Sequence, residues 1–379
     1  MKDIRYAFRR MIRSPGFTAV ALFSLAVGIG TNTAIFALVE DILFADTPYR
    51  APEELVEVYL TQEVFAFSPL SYPDYVDVRE GTTEIFQEVG LAGYTFGQVD
   101  RGDQVGSLLG ELVSGTFFPL LGLDAAVGRT LLPEDDLSPG AHYVVMLGHG
   151  YWEREFGGDP GIVGETIRLN GHAYTVVGVA PEDYPGAIQG VPVDFMAPVN
   201  MVQVLQQGSG NPLVNRDNQS YFVKGRLRPG VSVEQAKVTL AGIAASLRDT
   251  YPDTWDVTRD FTAIPTQDVV MNPVLDRVLI PAAVLALVLV GVVLLIACAN
   301  LASFLLARGT DRKKEIAMRL ALGARRWTLI RQLLTETTLL AVVGGILGMG
   351  LSVWGLKGLT SMELPLPGGV HLDFGLTLS

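Results

Sequence analysis

Three long apolar runs interrupt an otherwise mixed pattern of polar and hydrophobic residues: Phe17–Val39, Val278–Leu306 and Leu333–Leu359. They hold 23, 29 and 27 residues and almost no charge. About 20 residues of helix cross the ~30 Å hydrocarbon core of a bilayer. The second and third runs therefore read as membrane spans, because buried core helices are rarely apolar all round. The first run has a competitor, since Arg5, Arg9, Arg10 and Arg13 before an apolar stretch also suit a secretory signal peptide. The run is longer than an h-region of about 7–15 residues, and no small-x-small site sits cleanly at its end. We expect a first span at 17–39.

Residues 40–276 follow a different pattern, with short segments bounded by turn signals. Leu55–Leu60, Val105–Val113, Tyr143–Leu147, Tyr221–Leu227 and Asp256–Ile264 read as strands. Pro73–Gln87 has helical spacing through Tyr75, Val78, Ile85 and Phe86. Gly115–Leu121 reads as a helical turn and Tyr151–Phe156 as a short helix. Asn170-Gly171 between Thr166–Leu169 and Ala173–Val179 predicts a hairpin. Ser232, with Gln235 three residues on, predicts a helix to about Arg248. The segments 50–115 and 220–268 suggest a layered α/β part. The region 120–215 is richer in Gly, Pro and short strands, and suggests a β-rich insertion. The expected fold class is an α-helical membrane part plus an external α+β domain of two subdomains.

Charge follows the same partition. Residues 40–276 carry 34 acidic and 13 basic residues, whereas the whole chain has a net charge of −12. The remainder is therefore basic, and its Lys and Arg cluster at the N-terminus and in 308–331. The positive-inside rule places both clusters in the cytoplasm and the large domain outside. Residues 1–16 then form a cytoplasmic amphipathic helix, with Ile4, Ala7, Phe8, Met11 and Ile12 on one arc, facing anionic headgroups with its basic side. The expected order continues with spans at 277–306 and 333–360, a cytoplasmic segment at 307–332 and an external tail at 361–379. A nucleic-acid-binding protein is excluded by the acidic balance. The single cysteine, Cys298, excludes an intrachain disulfide.

Motifs for chemistry are sparse. No Gly-x4-Gly-Lys-Ser/Thr phosphate loop occurs in the sequence. Gly28-Ile29-Gly30 lies inside an apolar run and reads as helix packing. His142, His149, His172 and His371 show no ligand spacing, and Glu134-Asp135-Asp136 reads as a solvated loop or a weak cation site. We expect no catalytic, cofactor or metal site in this chain. Gly344 and Gly348 have small-xxx-small spacing, and Ala26, Gly30 and Ala34 repeat it in the first run. Small residues let helix backbones approach in lipid. They serve either fixed packing or sliding between helices.

The stretch from Arg308 to Arg331 is the most informative. Asp311 can cap a helix, Glu315 and Arg319 are an i,i+4 pair, and Ile316 and Leu320 share a face. Gly323 is placed to end that helix, and Ala324 and Arg326 begin the next. A helix in this position suits a partner's groove, while a basic linker on anionic lipid remains the alternative.

This stretch resembles the coupling segment of FtsX-like/MacB-like permeases of mechanotransmission ABC transporters, through Glu315, Ile316, Arg319, Ala321, Gly323, Ala324 and Arg326. "FGGDPGIVGETIRLNGHAYTVVGVAP" and "GRLRPGVSVEQAK" are similar to the family's periplasmic core domain. The first 50 residues resemble duplicated permeases of acidobacteria. The resemblance implies a bacterial inner-membrane, multi-pass permease with a porter-like external part. It implies a separate ABC ATPase that binds the ATP, coupling through 311–326, and a second permease half or homodimer partner. It also implies a fourth span, so three runs and a last residue at Ser379 suggest a fragment or a truncated half. Two other readings share the pattern: a transmembrane regulator of an envelope enzyme, and a sensor or assembly protein with no ATPase.

Overall fold

A computed structural model describes residues 15–43, 48–63, 66–100, 105–184, 186–188, 191–206, 208, 210–311, 318, 321 and 326–360. The expected amphipathic helix before Pro15, the tail after Thr360 and residues 312–317, 319–320 and 322–325 of the cytoplasmic segment lie outside the described residues. The chain divides into two compact units, with boundaries after Ala45 and Arg277. One unit holds the long apolar helices, beginning with α1 (Pro15–Leu43).

The other unit is a mixed α/β domain. In chain order it contains β1 (Leu55–Thr61), α2 (Tyr72–Gly81), β2 (Phe86–Asp100), β3 (Val105–Val113), α3 (Phe117–Leu121), β4 (Val127–Gly128), β5 (Val144–Leu147) and α4 (His149–Phe156). It continues with β6 (Thr166–Leu169), β7 (His172–Val179), β8 (Phe195–Pro198), α5 (Val202–Leu205), β9 (Phe222–Leu227), α6 (Val233–Thr250) and β10 (Asp260–Pro265). The strands form one sheet of order β10-β1-β9-β2-β3-β8-β5-β7-β4, with β6 pairing β2 and β7. The β-rich middle of the chain therefore joins the same sheet as the outer strands.

Alternation along the strands creates two unlike faces. Val56, Val58, Leu60, Val223, Leu91 and Leu112 pack with Tyr75 and Val78 of α2 and with Ala236, Leu240, Ala244 and Leu247 of α6, in the larger apolar core. The opposite parity carries Leu55, Ala92, Leu109, Val113, Met146 and Met196, packed with Phe117, Phe118, Leu120 and Leu121 of α3. Between these apolar residues it also buries Glu57, Glu111, Lys224 and Arg226.

Local chemistry accounts for the elements. Ser232 Oγ accepts from the Gln235 amide, and Gln235 Oε1 accepts from the Ser232 amide, closing a capping box on α6. Asn170 and Gly171 both have positive φ, as a two-residue hairpin turn requires. The helix expected through Gln87 stops at Gly81, where Thr82 caps it by donating to the Val78 carbonyl. Ile85 and Phe86 lead instead into β2, and Phe86 is buried in the sheet. Glycines hide β2 from pattern reading. A Cβ at Gly93 would lie 2.7 Å from Tyr221, and one at Gly97 would lie 2.9 Å from Phe195.

The membrane unit is completed by α7 (Pro273–Asp311) and α8 (Arg326–Thr360). Thr18–Ala37, Pro273–Ser303 and Leu334–Gly355 are long and apolar enough to cross a membrane. Val284, Leu285, Val288, Leu289, Val292 and Ile296 of α7 are exposed. Apolar side chains without protein cover are what a lipid-facing helix presents.

Candidate functional site

The residues selected for coupling lie at the edge of the described chain. Asp311 is the last residue of α7 and Arg326 the first of α8. Glu315, Ile316, Arg319, Leu320, Gly323 and Ala324 lie outside the described residues. Within that stretch Met318 and Ala321 are helical and exposed.

The selected glycines meet at one helix pair. A Cβ on Gly30 would lie 2.8 Å from the Gly348 carbonyl oxygen, and one on Gly344 would lie 2.7 Å from Leu25 Cβ. A Cβ on Gly348 would be 3.1 Å from Ile29 Cβ and 3.2 Å from the Ala26 carbonyl oxygen. Numbers rise together along the contact, so α1 and α8 run in the same direction. Alternating crossings require that of a first and a third span. The α7 helix reaches α1 at Gly28, where an added Cβ would lie 3.1 Å from Ala297 Cβ.

A second constellation occupies the mixed face of the sheet, and the sequence reading missed it. Glu57 and Lys224 are register partners on β1 and β9 and form a buried ion pair. Tyr59 donates a 2.6 Å hydrogen bond to Glu57, and the Lys224 ammonium lies 5.9 Å from the Tyr49 ring centroid. On β3, fully buried Glu111 accepts from the Ala187 amide at 2.6 Å and from Tyr184 at 2.7 Å. Its register partner Tyr94 accepts from the Ile188 amide at 3.1 Å. Burial pushes the Glu111 carboxyl up from 4.5 to about 7, although both hydrogen bonds and Lys224 act to lower it. Two strands of the sheet thus hold Tyr184, Ala187 and Ile188 through polar side chains.

Arg226 lies on the same face and is 3% exposed. Its Nε and Nη2 donate to the Leu120 carbonyl at 3.0 and 2.8 Å. Nη2 also donates to the Arg50 carbonyl at 2.5 Å, and Nη1 to the Ala51 carbonyl at 3.1 Å and Glu54 Oε2 at 3.0 Å. Every one of the five guanidinium N–H donors therefore has an acceptor. Buried Asp276 accepts from the amides of Val270 and Met271 at 3.0 and 3.1 Å. It also fixes the start of α7, through its amide bond to the Asn272 carbonyl.

The acidic loop is engaged by protein groups. Asp135 pairs with Arg129 at 2.5 and 2.9 Å, while Asp136 accepts from the Asn200 amide at 3.0 Å. Among the described residues no group of three or more His, Cys, Asp or Glu is arranged to hold a metal ion.

A sheet domain inserted between long apolar helices defines the class of a membrane protein with one large domain beyond the bilayer. Comparison with known proteins narrows this class. The model of the MacB-like periplasmic core domain matches residues 18–243, and that of the FtsX-like permease C-terminal region matches residues 287–375. The chain belongs to this MacB-like, FtsX-like ABC permease family. It is 25% identical to the pyoverdine export ATP-binding/permease protein PvdT of Pseudomonas syringae pv. tomato, over 88% of this chain and 47% of that protein. It is 28% identical to the macrolide export ATP-binding/permease protein MacB of Neisseria meningitidis serogroup A, over 66% of this chain and 35% of that protein. The chain thus spans about half or less of the length of these relatives. The periplasmic region of MacB from Actinobacillus actinomycetemcomitans aligns with 62% of this chain and 94% of its own, with 16% identity and a TM-score of 0.40.

Proposed function

We propose that the chain is the permease part of a mechanotransmission-type ABC transporter in a bacterial inner membrane. An ABC ATPase, as a separate subunit or in a further part of a longer protein, binds and hydrolyses ATP and engages 311–326. The spans pass the resulting movement to the external domain, which exports or extrudes an envelope substrate. A second permease half or a second copy completes the membrane part. The observation that carries this reading is the joint match of a periplasmic core domain and a permease region on one chain. The names of PvdT and MacB, each an export ATP-binding/permease protein, support it. Within the membrane, Gly30, Gly344 and Gly348 form the seam that keeps α1 and α8 together during movement.

The test is stimulation of the partner ATPase in proteoliposomes. Glu315→Lys or deletion of 312–322 should abolish stimulation by the chain, and unchanged stimulation would contradict the proposal. The seam is tested separately. Gly348→Leu sets a side chain against Ile29 and the Ala26 carbonyl, at a cost of about 1–3 kcal/mol. The thermal midpoint of the chain in nanodiscs should fall in that variant, and an unchanged midpoint would contradict the seam.

A further inference from the structure

The chain leaving α1 at Leu43 enters the sheet only through the residues before β1. Under the transport reading, movement of the first span would be passed on through that segment. A loose segment would absorb the movement, and a segment fastened to the sheet would pass it on.

Arg226 provides the fastening. It stands on β9, in the interior of the sheet between β1 and β2, and it binds the carbonyls of Arg50 and Ala51 directly. Its remaining contacts tie the same segment to α3. The Gly122 amide closes the end of α3 onto Phe118 and Pro119, which leaves the carbonyls of Leu120 and Leu121 without helical partners. Arg226 takes the first and the Arg50 amide takes the second, at 2.9 Å. Gly122 is in the left-handed region at φ 70°, and a Cβ there would lie 2.6 Å from Arg50 Cβ, so the segment is also closely packed at this point. A planar fork of five donors can serve four acceptors on two chain segments at once, which a lysine ammonium cannot reproduce.

We propose that Arg226 is the force-bearing positioning residue of the external domain, locking the segment that arrives from the first span onto the central sheet and α3. The inference rests on the transport reading for its purpose, but its test needs neither ATP nor a partner. The full chain in lipid nanodiscs, with Cys298→Ala and pulling handles at Pro48→Cys and Val238→Cys, is stretched in optical tweezers. Val238 is exposed on α6. In the native background the arriving segment should stay attached until the sheet itself ruptures. Arg226→Met should add an early low-force step that lengthens the tether by about 25 Å, the span of some seven extended residues. Arg226→Lys keeps the charge and should show the same step at intermediate force, and it carries the test where the methionine variant does not fold. Hydrogen exchange should agree, with amides of 50–55 at least tenfold faster in either variant and amides of α6 unchanged. Glu54→Gln, which removes only the half-exposed carboxylate, should leave the step absent. Force curves of Arg226→Lys that coincide with the native curve would overturn the proposal, as would acceleration spread evenly over the domain. Absence of any associated ATPase would overturn the transport reading and leave the tweezers result to decide the clamp.

Discussion

The two faces of the external sheet are built from the same strands by different chemistry. One face is apolar from β1 to β5 and is covered by α2 and α6. Its stability comes from burial, which is non-directional and scales with area. The other face buries Glu57, Lys224, Arg226 and Glu111 among apolar neighbours. Buried charges contribute little net stability when paired, but they are costly to break and they fix geometry. The apolar face holds the domain together, and the mixed face determines where particular segments attach to it.

Substitutions on the two faces should therefore differ in kind as well as in size. Arg226→Met leaves the Arg50, Ala51 and Leu120 carbonyls without their donor and should cost about 3–5 kcal/mol, with early exchange confined to the segments it binds. Leu240→Ala on α6 should cost about 3 kcal/mol through an apolar cavity, measured by denaturant midpoint, with no local detachment at 50–55. A Leu240 variant that frees 50–55 selectively would remove the distinction.

The next effect is a pH dependence centred on Glu111 of the mixed face. Glu111 has a folded pKa near 7 against 4.5 for the free side chain. The folded state then binds the proton more tightly. Its contribution is fully present below about pH 4.5 and is lost as pH rises through 7. Tyr184, Tyr94, Tyr49 and Lys224 surround this carboxyl, and Asp136, raised to about 6, adds a smaller slope of the same sign. Glu111→Gln should flatten the fall in Tm between pH 5 and 8, and relieve on the order of 2 kcal/mol at pH 8. An unchanged slope would show that Glu111 does not titrate there. The smallest effect is Ser232→Ala at the solvent end of α6, about 1 kcal/mol of cap energy with no pH dependence.

The apolar face was legible in the sequence and the mixed face was not. Val56, Val58 and Leu60 alternate as a buried strand should, and Ser232 with Gln235 marked the start of α6. By the same alternation Glu57, Lys224 and Arg226 read as solvent-facing, because a charged residue between apolar ones normally points outward. The available signal was Leu55, Tyr59 and Phe222 on the same parity, with opposite charges on two strands. It becomes useful only once β1 and β9 are known to be neighbours. The three long apolar helices were legible because length and apolarity suffice for them. The long strand β2 was not, because its glycines make room for Tyr221 and Phe195 from elements distant in the chain.

The proposed function requires that movement of the spans reach the external domain when the partner hydrolyses ATP. It is tested most directly by the height of a donor at Val238→Cys above acceptor lipids, read by energy transfer in nanodiscs holding the Cys298→Ala chain and its ATPase. The account predicts that ATP changes this height while a Val238–Val214 pair within the domain keeps its distance. It also predicts that the change is reduced in Arg226→Lys with hydrolysis continuing. Steady hydrolysis with no change of height in the native chain would contradict it.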